Sequence, residues 1–251
     1  MRYLETTPNA VSDYLAEKSA RICAYAKDEE FKALSNAWRV MALEKNYMNN
    51  FSWCGRPMIQ LPMDAMAMQE IIWAVKPDLI IETGVAHGGS LMLSASILEL
   101  IGHGEVVGVD IDIRVHNREA IEQHPLAKRI TLVQGSSIDP DIVARVRQYA
   151  EGKKKVLVCL DSNHTHEHVL AELNAYADLV SIGSYCVVFD TFVEDMPDDY
   201  VWQDRPWGKG NNPKTAVWEW LKSHDEFVID KSIEDKLLIT SAPDGFLYRQ
   251  R

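Results

Sequence analysis

The sequence predicts an α/β domain with a doubly wound, mostly parallel sheet, preceded by a helical segment. Three observations indicate this fold class. Short, almost continuously apolar runs alternate with helical stretches through the middle of the chain. Acidic residues and glycines follow these runs, where strands turn into helices. Near the C-terminus the apolar runs come closer together, which is typical of an antiparallel hairpin.

The elements follow from the hydrophobic pattern in chain order. Residues 10–48 are predicted to be helical, and a helix over 62–74 begins with a proline in its first turn. Strands are predicted at 78–82, 106–110, 130–135, 155–161 and 185–190, with helices at 90–101, 114–123, 139–150 and 165–179 between them. Three apolar runs follow at 226–230, 237–240 and 245–249, and two of them are expected to form the terminal hairpin.

The composition excludes several classes of protein. The 251 residues carry a formal net charge of −11, whereas binding to a nucleic acid backbone depends on clustered Lys and Arg. No run approaches the roughly 18 apolar residues of a membrane span, and residues 1–6 do not resemble a signal peptide. The cysteines form no close pair, which favours free thiols and a cytoplasmic location. They are Cys23, Cys54, Cys159 and Cys186.

Four predicted strands end in an acidic residue: Glu82, Asp110, Asp161 and Asp190. In an open α/β sheet, ligands bind outside the carboxyl ends of the strands. Taken singly, each acid fits a helix cap or a solvated loop as well as it fits a binding site. Together they indicate a binding site at one edge of the sheet.

The turn after the first of these strands separates two kinds of nucleoside ligand. Glycines at 84, 88 and 89 let the backbone approach a ligand closely. The GxGxxG spacing of nicotinamide-binding turns is absent, and Glu82 would repel a pyrophosphate. An acid at this position favours a donor with a cationic amino group, such as S-adenosylmethionine (SAM). Asp110 is placed to accept hydrogen bonds from ribose hydroxyls in either kind of site.

With these residues the sequence resembles a known group of enzymes. Glu82-x-Gly84-x-x-x-Gly88-x-Ser90 is similar to the turn of metal-dependent, catechol-type O-methyltransferases. The chain resembles the bacterial cephalosporin hydroxylase-like family more closely, from about Trp53 to Tyr248. The segments that carry this likeness are VVGVDID (107–113), QGSS (134–137), LDSNHTHEHV (160–169) and VVFDTFVED (187–195). This family is related to O-methyltransferases that act on macrolide and glycan sugars.

The resemblance implies a Rossmann-like, seven-stranded sheet with an antiparallel C-terminal strand. It implies a SAM-dependent methyltransferase domain over 51–251. A helical segment like that over 1–50 usually packs on the core, covers a pocket as a lid or forms an oligomer contact, and the sequence does not choose between these roles. SAM is expected at Glu82, Gly84, Ala86, Gly88, Ser90, Asp110, Ser136, Ser137 and Asp161. Mg²⁺ or another divalent cation is expected at Asp161, Asp190 and Thr191, where relatives usually have Asn or Asp at the last position. His164 is expected to act with Asp161 as the catalytic base on a sugar or polyol hydroxyl.

Several alternatives stay open at this stage. His164, His166 and His168 alternate in a pattern that suggests zinc, although one helical face cannot present all three. The same histidines with Asp161 leave room for an oxidoreductase or hydroxylase, and the fold also permits a non-catalytic assembly partner. The aromatic stretch 194–213 fits an acceptor wall or a subunit contact equally well. A homo-oligomer is expected.

Overall fold

Two helices and a small hairpin precede the main sheet in the computed structural model, which describes residues 9–251. They are α1 (Asn9–Tyr25), α2 (Glu29–Glu44), a 3-10 turn (Tyr47–Asn50), β1 (Phe51–Trp53) and β2 (Arg56–Met58). The predicted helical stretch is broken before α2, where Asp28 accepts a hydrogen bond from the backbone of Phe31 at 2.9 Å. The expectation for residues 1–6 lies outside the described residues.

Seven strands form the main sheet and alternate with helices. In chain order the elements are α3 (Pro62–Val75), β3 (Leu79–Thr83), α4 (Gly89–Ile101), β4 (Glu105–Asp110), α5 (Val115–Glu122), β5 (Ile130–Gln134), α6 (Pro140–Ala150), β6 (Val156–Leu160), α7 (His166–Tyr176), β7 (Tyr185–Val188), α8 (Pro213–Trp220), β8 (Phe227–Ile229), α9 (Lys231–Leu237) and β9 (Phe246–Arg249). The order across the sheet is β5-β4-β3-β6-β7-β9-β8. β9 runs antiparallel to both of its neighbours, β7 and β8, and all other pairs in the sheet are parallel. The predicted doubly wound, seven-stranded sheet is confirmed.

The sheet is covered on both faces, which explains its continuous apolar strands. Ile80 and Leu157 pack beneath α3 and α4, whereas Leu79, Ile81 and Val158 face α7 and α8. All five are fully buried. Burying a side chain of this size contributes about 1.5–3 kcal/mol. No helix among the described residues has the length and apolar character needed to cross a membrane.

The site edge is set by the position of β3 in the sheet. This strand pairs in parallel with β4 on one side and β6 on the other. The chain passes from β3 outwards to β4 and β5 and then crosses back to β6, so the strand order reverses between β3 and β6. Its last residue, Thr83, lies opposite Val109 and Leu160 in the two neighbours. The segments that follow these three residues therefore emerge side by side, at the kind of switch point where α/β sheets bind ligands.

Two of the three C-terminal apolar runs form the predicted hairpin, and the run over 237–240 contributes no strand. Lys231–Leu237 forms α9, which begins where Asp230 accepts a hydrogen bond from Ser232 N at 3.1 Å. The helix ends at Leu238, whose φ is +60°. The local capping signal outweighs the apolar triplet, and the terminal hairpin consists of β8 and β9.

Candidate active site

The turn between β3 and α4 depends on Gly84. Its φ is +91°, and its N–H donates to Val109 O at 2.7 Å. A Cβ at this position would lie 1.9 Å from the backbone oxygen of Asp161. Glycine is therefore required here both for the backbone conformation and for the close approach of the β6 exit.

Two side chains that sequence reasoning missed hold this turn in place. Arg56 on β2 donates to the backbone oxygen of His87 at 2.9 Å and to Asn117 Oδ1 at 2.8 Å. Asn117 is buried on α5 and donates to the backbone oxygen of Ala86 at 3.0 Å. Ala86 itself has a φ of +44°. The small hairpin thus clamps the turn from outside the sheet.

Glu82 and Ser90 form a buried pair beneath the turn. The Ser90 hydroxyl donates to the Glu82 carboxylate, which is 4% exposed. Burial raises the pKa of Glu82 to about 7. Ser90 lines the cleft above, and Glu82 lies behind it. Gly88 packs against Ile121 rather than facing the cleft.

Asp110 shapes the turn and also lines the cleft. One oxygen of its carboxylate accepts the N–H groups of Val85 at 2.8 Å and Ala86 at 3.2 Å. The other accepts Asp112 N at 3.0 Å. These bonds fix the carboxylate at the end of β4, where a ribose would meet it.

Two small cavities form a continuous cleft over this edge of the sheet and share Gly84, Asp110 and Ser162. The larger has a volume of about 230 Å³ and includes Ala86, Ser90 and Asp161. The smaller, about 150 Å³, includes Ser136, Ser137 and His168. None of the described residues that line either cavity is Lys or Arg. A cleft with carboxylates and no cation favours a positively charged ligand over a phosphate.

Asp161, His164 and Asp190 come together where this cleft ends. One ligand atom from each lies within 4.8 Å of the others. His164 Nε2 is 2.9 Å from Asp190 Oδ2. Burial and the negative charges of Asp190 and Glu82 raise the pKa of Asp161 well above its ordinary value, although Gln60 hydrogen-bonds to it. Two carboxylates and one imidazole are a donor set suited to a divalent cation.

Thr191 does not face this cluster. It is fully buried, and its hydroxyl donates to the backbone oxygen of Pro243 at 2.6 Å. The chain turns at Asp190, whose φ is +56°, and enters a 3-10 turn over Thr191–Asp195. We therefore leave Thr191 out of the candidate ligand set.

The three alternating histidines point to different partners. His164 lies before the first turn of α7 and faces Asp190. His166 contacts Thr215 at 2.8 Å and Glu219 at 3.3 Å on α8. His168 faces the smaller cavity. Neither a zinc site from this run nor an oxygenase site built from His164, His166 and Asp161 is assembled.

A third cavity, of about 470 Å³, opens on the other side of the cluster. It shares Met48, His164 and Asp190 with the larger of the two cleft cavities, the one of about 230 Å³. Its volume falls within the range of about 300–1,000 Å³ that is usual for small-molecule sites. Polar and aromatic side chains line it: Asn46, Asn49, Phe192, Tyr200, Trp202, Gln203, Arg205 and Trp207. Trp207 packs edge-on against His164 with ring centroids 4.7 Å apart.

The N-terminal segment forms part of this third cavity. Val40 and Leu43 of α2 pack on the buried residues Phe192, Val193 and Met196, which follow Asp190. Arg39 reinforces the contact, because it is 7% exposed and lies 3.5 Å from Asp195. Trp53 of β1 does not line this cavity and donates to Ser96 on α4 at 3.0 Å.

Comparison with known proteins assigns the chain to a family. The family model for rhamnosyl O-methyltransferase and CmcI matches residues 45–250. The chain belongs to this family. A rhamnosyl O-methyltransferase of Mycobacterium bovis (strain BCG / Pasteur 1173P2) is 33% identical over 192 residues, which cover 74% of this chain and 73% of the relative. The rhamnosyl O-methyltransferase of Mycobacterium leprae (strain TN) is 28% identical over 207 residues, which cover 80% of this chain and 84% of the relative. The earlier resemblance to this family is confirmed.

Solved structures support the same fold. Apo CmcI is 20% identical and aligns with a TM-score of 0.56 over 81% of this chain and 77% of its own. A CmcI structure with Mg and SAM is 19% identical and aligns with a TM-score of 0.55 over 80% of this chain and 77% of its own. The overall fold of this chain is therefore similar to that of CmcI.

Proposed function

We propose that this protein is a SAM-dependent O-methyltransferase that methylates a hydroxyl of a sugar, assisted by a divalent cation. One observation carries the proposal. The Asp161, His164 and Asp190 cluster stands between a carboxylate-lined cleft and an aromatic-lined cavity, and it borders both. Such a junction suits the transfer of a group from a donor on one side to an acceptor on the other.

The cleft fits SAM by its charge and its hydrogen-bond partners. Asp110 is fixed at the ribose position, Ser90 lies above Glu82, and Ser136 and Ser137 line the inner cavity. We assign these residues, with Gly84, Ala86 and Asp161, to SAM. A phosphate-bearing cofactor such as NAD is disfavoured because no described lining residue neutralises its charge.

The cluster fits Mg²⁺ through Asp161 and Asp190. Mg²⁺ usually takes one or two carboxylates from a protein and completes its shell with water and substrate oxygens. A cation at this place would lower the pKa of a bound acceptor hydroxyl, while SAM would supply an electrophilic methyl group. The CmcI structure with Mg and SAM supports this assignment.

His164 is the proposed general base. Its Nε2 lies 2.9 Å from Asp190 Oδ2, so that Nε2–H donates to the carboxylate and Nδ1 is left to accept a proton. Trp207 holds the edge of the ring in place. His164 lies before the cap residue of α7 and makes its bond to Asp190, which argues against a capping role.

A sugar acceptor is supported by the third cavity and by the relatives. Aromatic faces such as those of Trp202 and Trp207 pack well on the C–H faces of a sugar ring, and Asn46, Asn49 and Gln203 offer amide groups to its hydroxyls. The mycobacterial relatives are rhamnosyl O-methyltransferases by name, so their acceptor is a rhamnosyl group. We therefore propose a deoxysugar or similar glycoside.

One titration separates this function from its rivals. In calorimetry, S-adenosylhomocysteine should bind and NAD should not. In a separate assay, a chelator should stop methyl transfer to a rhamnoside, and added Mg²⁺ should restore it. An oxidoreductase would bind NAD instead, and a non-catalytic assembly protein would bind neither compound.

We also propose that the chain forms a homo-oligomer through α2 and works in the cytoplasm. Leu34, Trp38 and Met41 form one apolar stripe on α2 and are 63%, 38% and 57% exposed. The four cysteines are free, as a reducing compartment allows. Light scattering of the purified protein tests the first proposal, since Trp38→Glu should reduce the mass of the assembly.

A further inference from the structure

A chain of polar side chains lies behind the smaller donor cavity. Ser162 Oγ donates to Glu172 Oε1 at 2.6 Å. His168 Nε2 lies 3.2 Å from that Ser162 hydroxyl and 3.0 Å from the hydroxyl of Ser137. Glu172 is fully buried, and its second oxygen has no hydrogen-bond partner among residues 9–251. A buried carboxylate is costly, so its retention here calls for a purpose.

The carboxylate fixes the direction of every bond in this chain. A serine hydroxyl has a single proton, and Ser162 gives that proton to Glu172. Towards His168 the Ser162 oxygen can therefore only accept, so Nε2 must carry a hydrogen. The same Nε2–H is shared with the oxygen of Ser137. Consequently, the proton of the Ser137 hydroxyl is not needed by His168.

Ser137 is placed where it can donate this proton into the cavity. The residue is 4% exposed and lines the smaller cavity. Its backbone oxygen accepts the Tyr176 hydroxyl at 2.5 Å, which fixes the main chain at this point. The cavity thus presents a hydrogen-bond donor of set polarity at its buried end, while Asp110 lies at the more exposed end.

We propose that Glu172 acts through Ser162 and His168 as a positioning residue that makes Ser137 a donor to N1 of the adenine ring. The proposal rests on SAM being the donor. With the ribose at Asp110, the N1 edge of the base is the edge that reaches the buried end. Adenine N1 accepts a hydrogen bond, whereas hypoxanthine carries a proton on N1. Two donors would then meet, and the site would reject hypoxanthine.

The test is a comparison of two ligands rather than the affinity for one. Calorimetry gives the Kd of S-adenosylhomocysteine and of S-inosylhomocysteine for each protein. The unaltered protein should prefer the adenine compound by about 10–100-fold, which is the usual effect of one unpaired buried group. Ser137→Ala and Glu172→Leu should reduce the ratio to about threefold or less. Glu172→Gln, which keeps an oxygen acceptor for Ser162, should retain most of it.

His166→Ala is the matched control, because His166 lies on the same helix but contacts α8. It should keep the full ratio. If these polar side chains had a purely structural role, Ser137→Ala would lower the affinity for both ligands equally and leave the ratio of the two Kd values unchanged. That result would overturn the proposal. Should Glu172→Leu fail to fold, Ser137→Ala still decides. Failure of the unaltered protein to bind either compound would contradict the methyltransferase function itself.

Discussion

Replacing Gly84 by alanine tests the central geometric claim, that the donor turn and the β6 exit need direct backbone contact. An added Cβ would lie 1.9 Å from the Asp161 oxygen. Ordinary carbon–oxygen contacts are about 3.3 Å or longer, so the Asp161 backbone must retreat by about 1.4 Å. That movement strains the bond from Asp161 N to Thr83 O, which is 2.9 Å long.

The expected magnitude has two parts. A non-glycine residue in the left-handed region costs about 1–2 kcal/mol, and overpacking of a tight site costs about 1–3 kcal/mol more. The free energy of unfolding should therefore fall by about 2–5 kcal/mol. Because the Asp161 carboxylate moves with its backbone, methyl transfer should fall by about 100-fold, as displacements near 1 Å do in other enzymes.

Gly102 provides a matched control for this substitution. Its φ of +93° is close to that of Gly84, but no atom lies within 4 Å of the Cβ position. In urea titrations Gly102→Ala should cost only the conformational part, about 1–2 kcal/mol, and donor affinity should stay unchanged. Equal losses of stability and activity in the two variants would refute the reasoning.

Three further perturbations probe the base, the acceptor wall and a buried acid. His164→Ala should lower methyl transfer by at least about 100-fold, because the base is lost, while calorimetry shows S-adenosylhomocysteine binding within about threefold. Trp207→Ala should raise the KM of the sugar by about 5–10-fold and leave donor binding intact, since an aromatic contact contributes about 1 kcal/mol or more. Burial raises the pKa of Asp64 from 3.8 to about 6, so the folded state keeps this proton to higher pH. Its contribution to stability is complete below pH 4 and is lost as the pH rises through 6. Between about pH 4 and 6 the free energy of unfolding of the parent protein should therefore fall by about 3 kcal/mol from this group. In Asp64→Asn that fall should be absent.

The first two of these have a control in the same chain. His103→Ala changes a histidine at the opposite edge of the sheet and should leave turnover unaltered. Trp73→Ala removes a half-exposed tryptophan of α3 and should not change the KM. Turnover within a few-fold of normal in His164→Ala would exclude the base role, and an unchanged KM in Trp207→Ala would exclude the acceptor wall. The Asp64 reasoning fails if the difference between variant and parent does not depend on pH.

The meeting of the acidic strand ends could be predicted because parallel strands end at one edge of a sheet. His164 was predicted from the resemblance to the family. Asp110 and Asp161 follow apolar runs directly, so the fold class alone brings them together. Their surroundings could not be predicted in the same way. Arg56 meets partners 31 and 61 residues further along the chain, and no local pattern connects such positions.

The failure at Thr191 has a local cause that the sequence hides. Asp190 adopts a left-handed backbone, which aspartate tolerates better than most residues. This conformation turns the next side chain away from the cluster and into the interior. Similarly, the helical pattern of residues 10–48 did not distinguish a lid from an oligomer contact. Only the packing of Leu43 on the turn after Asp190 places α2 beside the third cavity.

The two sides of the site come from different parts of the architecture. The donor turn, Asp161 and Asp190 leave the rigid sheet, whereas the acceptor wall comes from the Tyr47–Asn50 turn and the 200–207 loop. Substitutions in those two segments that keep Trp207 against His164 should change the acceptor cavity without moving the Asp161, His164 and Asp190 cluster. Relatives with other residues in these two segments are therefore expected to accept other sugars. The sheet edge, which holds the donor turn and the two carboxylates, sets the reaction separately from the choice of acceptor.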